Sequence, residues 1–276
     1  MSRARTFLSL AATTAVSAAL TLSAATGSEA IVGGKTVDWR QAPYLLTVQI
    51  KAPERGGFCS ATLVTPVKVV TAAHCATVMA PGQARPARDL LPSELTVTGG
   101  RTNVDTEPGV SAPVAKVWAH PGFNWLTTVN DLAVLTLAKP LRLGTLPIAT
   151  PRDAADVNRP GVKGSAYGWG STDPNSTRHD PLLHTAVLPV VDGKTCRTWY
   201  GDKYAPETVD PALMLCAGYE QGGIGPCYGD SGGPLVVAGR LAGVYSSGGL
   251  KCADLREPGK YVKVTAFHRE LAAQLR

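Results

Sequence analysis

Much that would announce a function is missing from this 276-residue chain. Beyond its first 25 or so residues, no apolar run approaches the roughly 20 residues that a membrane-crossing helix requires. Neither Cys-x-x-Cys nor His-Glu-x-x-His occurs, so the usual zinc spacings are absent. No Lys/Arg run is interleaved with aromatics; the basic residues are scattered. A cationic, water-soluble protein is therefore a better reading than a nucleic-acid binder. No internal repeat or low-complexity tract stands out after residue 30 either.

What is present begins with residues 1–30. Arg3 and Arg5 precede an Ala-rich apolar stretch from Phe7 to Ala25, and small residues follow. That order reads as a secretory signal peptide, cut after Ala25 or after Ala30; the first choice leaves 26–30 as a short propeptide. Its loss removes Arg3, Arg5 and Glu29, lowering the formal charge from +6 to about +5. The remaining 246 residues suffice for two small barrels or one large domain. Six cysteines in an exported chain predict three disulfides, with the pairing left open by arithmetic alone.

Short β-branched runs recur between Gly and Pro residues: Tyr44–Ile50, Glu94–Thr98, Leu132–Leu137, Leu235–Val237 and Leu241–Tyr245. This rhythm predicts an all-β barrel or sandwich. Pro81–Pro92, rich in Pro and Arg, reads as a surface loop. Pro140–Pro160 reads as a connection, with a domain boundary near Leu146-Pro147 that separates 31–146 from 147–276. Phe267, Leu271 and Leu275 recur every four residues, predicting an amphipathic helix within Val264–Arg276.

The chemistry concentrates in Gly229-Asp230-Ser231-Gly232-Gly233-Pro234. A serine hydroxyl needs a base to attack a carbonyl and N–H donors to hold the resulting oxyanion; glycines let the backbone approach closely. Gly-x-Ser-x-Gly also marks a nucleophile elbow, but that arrangement needs a helix after the serine and a later histidine. Here Pro234–Ala238 reads as a strand, and the only later histidine is His268. The partners lie upstream instead, His74 in Thr71-Ala-Ala-His-Cys75 and Asp131 in Asn130-Asp-Leu-Ala-Val-Leu135. With Ile31-Val-Gly-Gly34, these motifs in the order His, Asp, Ser resemble the chymotrypsin/trypsin family of secreted serine endopeptidases, nearly to the C-terminus.

That resemblance implies two six-stranded antiparallel Greek-key barrels, a short C-terminal helix, and a cleft holding His74 as base, Asp131 as its orienting acid and Ser231 as nucleophile. It implies an oxyanion hole from the N–H groups of Gly229 and Ser231. It pairs Cys59 with Cys75, Cys196 with Cys216, and Cys227 with Cys252. It also implies an activation switch, in which the ammonium of a free Ile31 pairs with Asp230. Ala30 precedes Ile31 where self-activating trypsins need Lys or Arg.

Carried over in the same way, the substrate pocket falls on Gly225, Pro226, Tyr228, Tyr245, Ser246, Gly248 and Gly259. Gly225 stands where a trypsin has aspartate, so an apolar or aromatic residue is expected before the cut bond. Tyr245 introduces a ring that shortens the pocket, and Ser247 replaces a common Trp. The alternatives are Arg/Lys selectivity through a displaced acid, Asp254 or Glu257, and a protease-like binding protein without turnover. Asp254 and Glu257 otherwise read as solvated loop residues. Arg101 disturbs the calcium loop and leaves Asp105 and Glu107 an incomplete ligand set, so no metal or cofactor is expected. The expected partners are protein or peptide substrates and protein inhibitors, met by a secreted monomer.

Overall fold

A computed structural model describes residues 31–204 and 208–276, together with Met1. The expected signal peptide lies outside the described residues. In chain order the first strands are β1 (Lys35–Thr36), β2 (Leu45–Ala52), β3 (Arg55–Thr65), β4 (Lys68–Thr71), β5 (Thr77–Met79), β6 (Pro86–Asp89), β7 (Leu95–Gly99), β8 (Val110–Ala119) and β9 (Ala133–Leu137). The chain continues with β10 (Lys163–Gly168), β11 (His184–Val191), β12 (Met214–Ala217), β13 (Pro234–Val237), β14 (Arg240–Ser247) and β15 (Gly259–Lys263). Among the described residues three α-helices complete it: α1 (Ala154–Val157), α2 (Gly193–Gly201) and α3 (His268–Gln274).

Strands β2, β3, β4, β9, β8 and β7 close the first barrel. The second closes through β11, β10, β13, β14, β15 and β12, with the last strand returning to β11. Neighbouring strands are antiparallel throughout both barrels. Closure leaves no free edge, which is how β-branched strands of this kind avoid open pairing. In β2 the alternate residues Leu46, Val48 and Ile50 enter the core of the first barrel, while Leu45 packs toward Trp169 and Leu183. Val64, Val70, Leu132 and Val134 join the second barrel's core instead, so the two barrels share one apolar seam.

Two features depart from the sequence reading. First, β1 pairs with β11, placing Lys35 and Thr36 in the sheet of the second barrel although they precede the first. Second, Pro81–Pro92 is only partly loop, because β6 pairs with β5 as a hairpin. Arg88 of β6 holds that hairpin with short hydrogen bonds to Glu54 and Glu94. As the spacing predicts, a helix lies within Val264–Arg276: α3 covers His268–Gln274. The N–H of Val264 donates to Ala242 O at 3.0 Å, which keeps the preceding residues tied to the barrel. Phe267 and Leu271 are buried as the four-residue spacing requires, each worth about 1.5–3 kcal/mol of burial.

The disulfides are Cys59–Cys75, Cys196–Cys216 and Cys227–Cys252. They close loops of 16, 20 and 25 residues, for which chain entropy gives roughly 3 kcal/mol each.

Candidate active site

His74 lies in a single tight turn, Ala73–Cys75, directly after β4. Its backbone N–H donates to Asp131 Oδ1 at 2.8 Å, and its Nδ1 lies 2.7 Å from Asp131 Oδ2. Asp131, just before β9, is fully buried. Its Oδ2 also accepts from Ser246 Oγ, at 2.6 Å, on β14 of the opposite barrel. A carboxylate away from water is tolerated only when donors surround it, and here three converge on two oxygens. Because Asp131 accepts at Nδ1, the neutral imidazole carries its proton there and leaves Nε2 with a free lone pair.

The Ser231 loop is held against β3, whose Cys59 is bonded to the residue after His74, through backbone contacts. The N–H of Ser60 donates to Ser231 O at 2.8 Å, and Ser60 Oγ donates to Gly229 O at 3.1 Å. Cys59 and Cys75, the residues next to Ser60 and His74, are joined by a disulfide. Strand β3 is thus joined to the histidine turn by the disulfide and to the serine loop by hydrogen bonds. His74 and Ser231 are not hydrogen-bonded to each other in this geometry.

The glycines around Ser231 are set by space. Gly229 has φ +101°, a conformation that side chains other than glycine strain to adopt. At Gly232 a Cβ would lie 2.1 Å from Thr71 Oγ1. Within the loop, the N–H groups of Asp230, Gly232 and Gly233 each donate to a carbonyl. Those of Gly229 and Ser231 engage no acceptor among the described residues, and they flank the serine.

Asp230 is buried beneath this loop, accepting from Gly170 N at 2.8 Å and Cys227 N at 2.9 Å. Burial pushes its pKa up to about 7, against the smaller lowering effect of those two donors. Ile31 is fully buried as well and has φ +54°, an unusual value for a β-branched residue.

A cavity of about 200 Å³ opens beside Ser231, lined by Tyr228, Tyr245, Ser246, Gly248 and their neighbours. Gly225, Pro226 and Gly259, which the sequence places in the pocket, are not among its lining residues. Tyr245 accounts for this: its hydroxyl donates to Pro226 O at 3.4 Å, so the ring extends across the cavity's inner end. The same hydroxyl would stand 3.2 Å from a Cβ on Gly248.

Glu257 corrects the sequence reading. It is 4 % exposed rather than solvated, whereas the Asp254 side chain is 43 % exposed. Its Oε1 accepts from Lys203 Nζ at 2.9 Å and Tyr204 OH at 3.0 Å. Its Oε2 has no hydrogen-bond partner among the described residues and packs against Gly249, where a Cβ would lie 1.3 Å away. Its burial follows from the turn that swings the loop over α2, which no spacing in the sequence reveals. The calcium-loop region is also occupied from within: Glu107 accepts from the N–H groups of Thr102 and Asn103, and Arg101 donates to Thr47 Oγ1.

Comparison with known proteins agrees with this architecture. Residues 31–270 match the family model described as Trypsin. A trypsin of Saccharopolyspora erythraea is 35 % identical over 245 residues, covering 89 % of this chain and 98 % of that protein. Pig trypsin is 31 % identical, covering 86 % of this chain and 92 % of its own length. The vitellin-degrading protease of Bombyx mori is 33 % identical, with 87 % and 84 % covered. With two closed barrels behind the site and a match over nearly all of residues 31–276, the chain belongs to the trypsin family of serine endopeptidases.

Proposed function

We propose that Ser231 forms an acyl-enzyme with its peptide substrate, His74 moving the protons and Asp131 orienting it. The carrying observation is the 2.7 Å contact between His74 Nδ1 and the fully buried Asp131. In the first step Nε2 of His74 takes the Ser231 proton as Oγ attacks the carbonyl carbon. The negative oxygen is received by the unengaged N–H groups of Gly229 and Ser231. The imidazolium then gives its proton to the leaving amine, the C–N bond breaks, and water repeats the sequence to release the acid. The buried Asp131 stabilises the imidazolium in both halves. Its hydrogen bond from Ser246 fixes it across the barrel interface.

The residue before the cut bond is apolar or aromatic in this reading. Among the described residues no carboxylate lines the cavity beside Ser231, and the Tyr245 ring forms its inner end. Desolvating a substrate cation there without a partner would be costly. One observation favours a second reading, Arg/Lys selectivity: the unpartnered Oε2 of Glu257 stands directly behind Gly249, and the relatives are named trypsins. The charged leader and the three disulfides support export to an oxidising compartment.

A mixed peptide library separates these readings, using protein that begins at Ile31 with Ser231→Ala as control. Cuts after Phe, Tyr, Leu or Met, absent in the control, are expected. Cuts after Arg or Lys that disappear in Glu257→Gln would establish the second reading. Folded protein that shows no Ser231-dependent cutting would instead be a binding protein without turnover.

A further inference from the structure

The peptide of His74 is held from two sides by side chains of opposite charge. Its N–H donates to Asp131 Oδ1 at 2.8 Å, and its carbonyl oxygen accepts from Arg55 Nη1 at 2.7 Å. The same nitrogen also donates to Thr77 O at 3.2 Å, so the guanidinium spans the segment from the histidine to the start of β5. Arg55 opens β3, far from His74 along the chain. Other carbonyls of this segment are met locally: Ala73 O by Ala76 N and Thr77 Oγ1, and Ala76 O by Leu90 N. No backbone N–H among the described residues reaches His74 O, which leaves that carbonyl to Arg55.

An arginine in this place is costly. It is half-buried, and burial lowers its pKa from the usual guanidinium value. Glu54 precedes it in the chain, yet Glu54 and Glu94 both pair with Arg88. Among the described residues no carboxylate pairs with Arg55. A cation drawn out of water without a counter-charge is disfavoured unless its hydrogen bonds compensate. Here they go to backbone oxygens, as charge-assisted bonds stronger than neutral ones. The neighbouring backbone leaves little spare room, since a Cβ on Gly57 would lie 3.3 Å from Nη2.

We propose that Arg55 is a positioning residue for His74, fixing the orientation of the histidine turn through its carbonyl. The inference rests on His74 being the proton-transferring base. Both Asp131 contacts, to the backbone N–H and to Nδ1, converge on one carboxylate, so they leave the turn a single anchor of this kind. The Cys59–Cys75 disulfide tethers the next residue through rotatable bonds, whereas Arg55 grips the His74 peptide itself. Its planar fork sets direction as well as distance. Proton transfer needs Nε2 within about 3 Å of the serine oxygen, and a misplacement of about 1 Å can cost about a hundredfold in rate.

The test compares Arg55→Met and Arg55→Lys with the unsubstituted protein, all beginning at Ile31, on one peptide whose cleavage depends on Ser231. Complete labelling of Ser231 by a fluorophosphonate counts the reactive serines. Expressed per labelled serine, kcat does not depend on how much of the protein is folded. In Arg55→Met it should fall about tenfold, with KM changed less than about twofold. In Arg55→Lys, which keeps the charge but not the fork, it should fall about threefold. Should Arg55→Met not fold, Arg55→Lys alone decides. An unchanged kcat per labelled serine, with only the number of such serines reduced, would overturn the proposal and make Arg55 a structural brace. A change confined to KM would overturn it too, assigning Arg55 to substrate contact. Both of those outcomes leave the catalytic reading intact. No Ser231-dependent cutting by the unsubstituted protein would overturn that reading and the proposal together.

Discussion

The two barrels are alike in strand number and closure, yet they furnish the site in opposite ways. The first contributes His74 and Asp131, positioned through hydrogen bonds that end on a buried carboxylate. The second contributes Gly229–Gly233, positioned by backbone shape, with Gly229 at φ +101° and glycines where a Cβ would collide. One half of the site is fixed by chemistry between side chains and the other by their removal. Ser246 is where the two schemes meet, a second-barrel hydroxyl on a first-barrel carboxylate. Damage to the first half should therefore appear as a lost protonation state, and damage to the second as lost shape.

The largest expected effect breaks the side-chain half. Asp131→Asn keeps the size but can present its amide to Nδ1 and favour the wrong tautomer. We expect kcat/KM to fall about 10⁴-fold in steady-state hydrolysis, with the rate recovering as hydroxide replaces the base at high pH. A loss under tenfold would mean that Asp131 does not orient His74.

The next effect addresses the backbone half through pH. In the chain extended before Ile31, Asp230 has its folded pKa raised to about 7, against about 3.9 unfolded. Below about pH 4 the carboxyl is neutral in both states. From there to about pH 7 only the unfolded chain ionises, so stability falls as pH rises, and above about 7 the loss is complete. Each unit of difference is about 1.4 kcal/mol. Denaturant unfolding of protein carrying residues 26–30 should show this falling limb, and Asp230→Asn should remove it. Protein beginning at Ile31 should lack it too, since the free ammonium favours the ionised carboxylate. The same limb in both forms would exclude the Ile31–Asp230 pair.

The smallest effect sharpens the comparison at its joint. Ser246→Ala removes one of three donors to Asp131 and leaves the imidazole contact in place. A loss of about tenfold in kcat with little change in KM is expected. A change in KM alone would assign Ser246 to the pocket rather than to the carboxylate.

The motifs holding His74, Asp131 and Ser231 stand out in the sequence because few spacings satisfy the chemistry proposed for them, and the contact between His74 and Asp131 joins two of the three. The barrel strands were legible as well, with β-branched runs matching β2, β7, β9, β13 and β14 to within a few residues. Other features depended on the paths of side chains and loops through space. Composition makes Glu257 a loop acid, yet the fold places it against Gly249 with Lys203 and Tyr204 on its other oxygen. Pro and Arg in 81–92 suggest open loop, but the guanidinium of Arg88 gathers Glu54 and Glu94 from distant positions and closes a hairpin. Position-by-position resemblance put Gly225 and Gly259 in the pocket, and it could not show that the Tyr245 ring would lie across its inner end. That Lys35 and Thr36 pair with β11 was not legible, because a two-residue strand carries almost no pattern of its own.

The φ of Ile31 has a consequence for maturation. That torsion, +54° here, is defined by the carbonyl carbon of the residue before it. Hydrolysis of the preceding peptide bond does not relax the angle; it removes the angle from the molecule. The roughly 1–3 kcal/mol that such a left-handed β-branched residue costs then disappears with the bond. Rejoining the chain would require that torsion to be rebuilt inside a packed core. If the chain is matured by a cut before Ile31, as the proposed pairing with Asp230 requires, that cut acts as a ratchet, releasing a constraint that the folded product has no conformational route to restore.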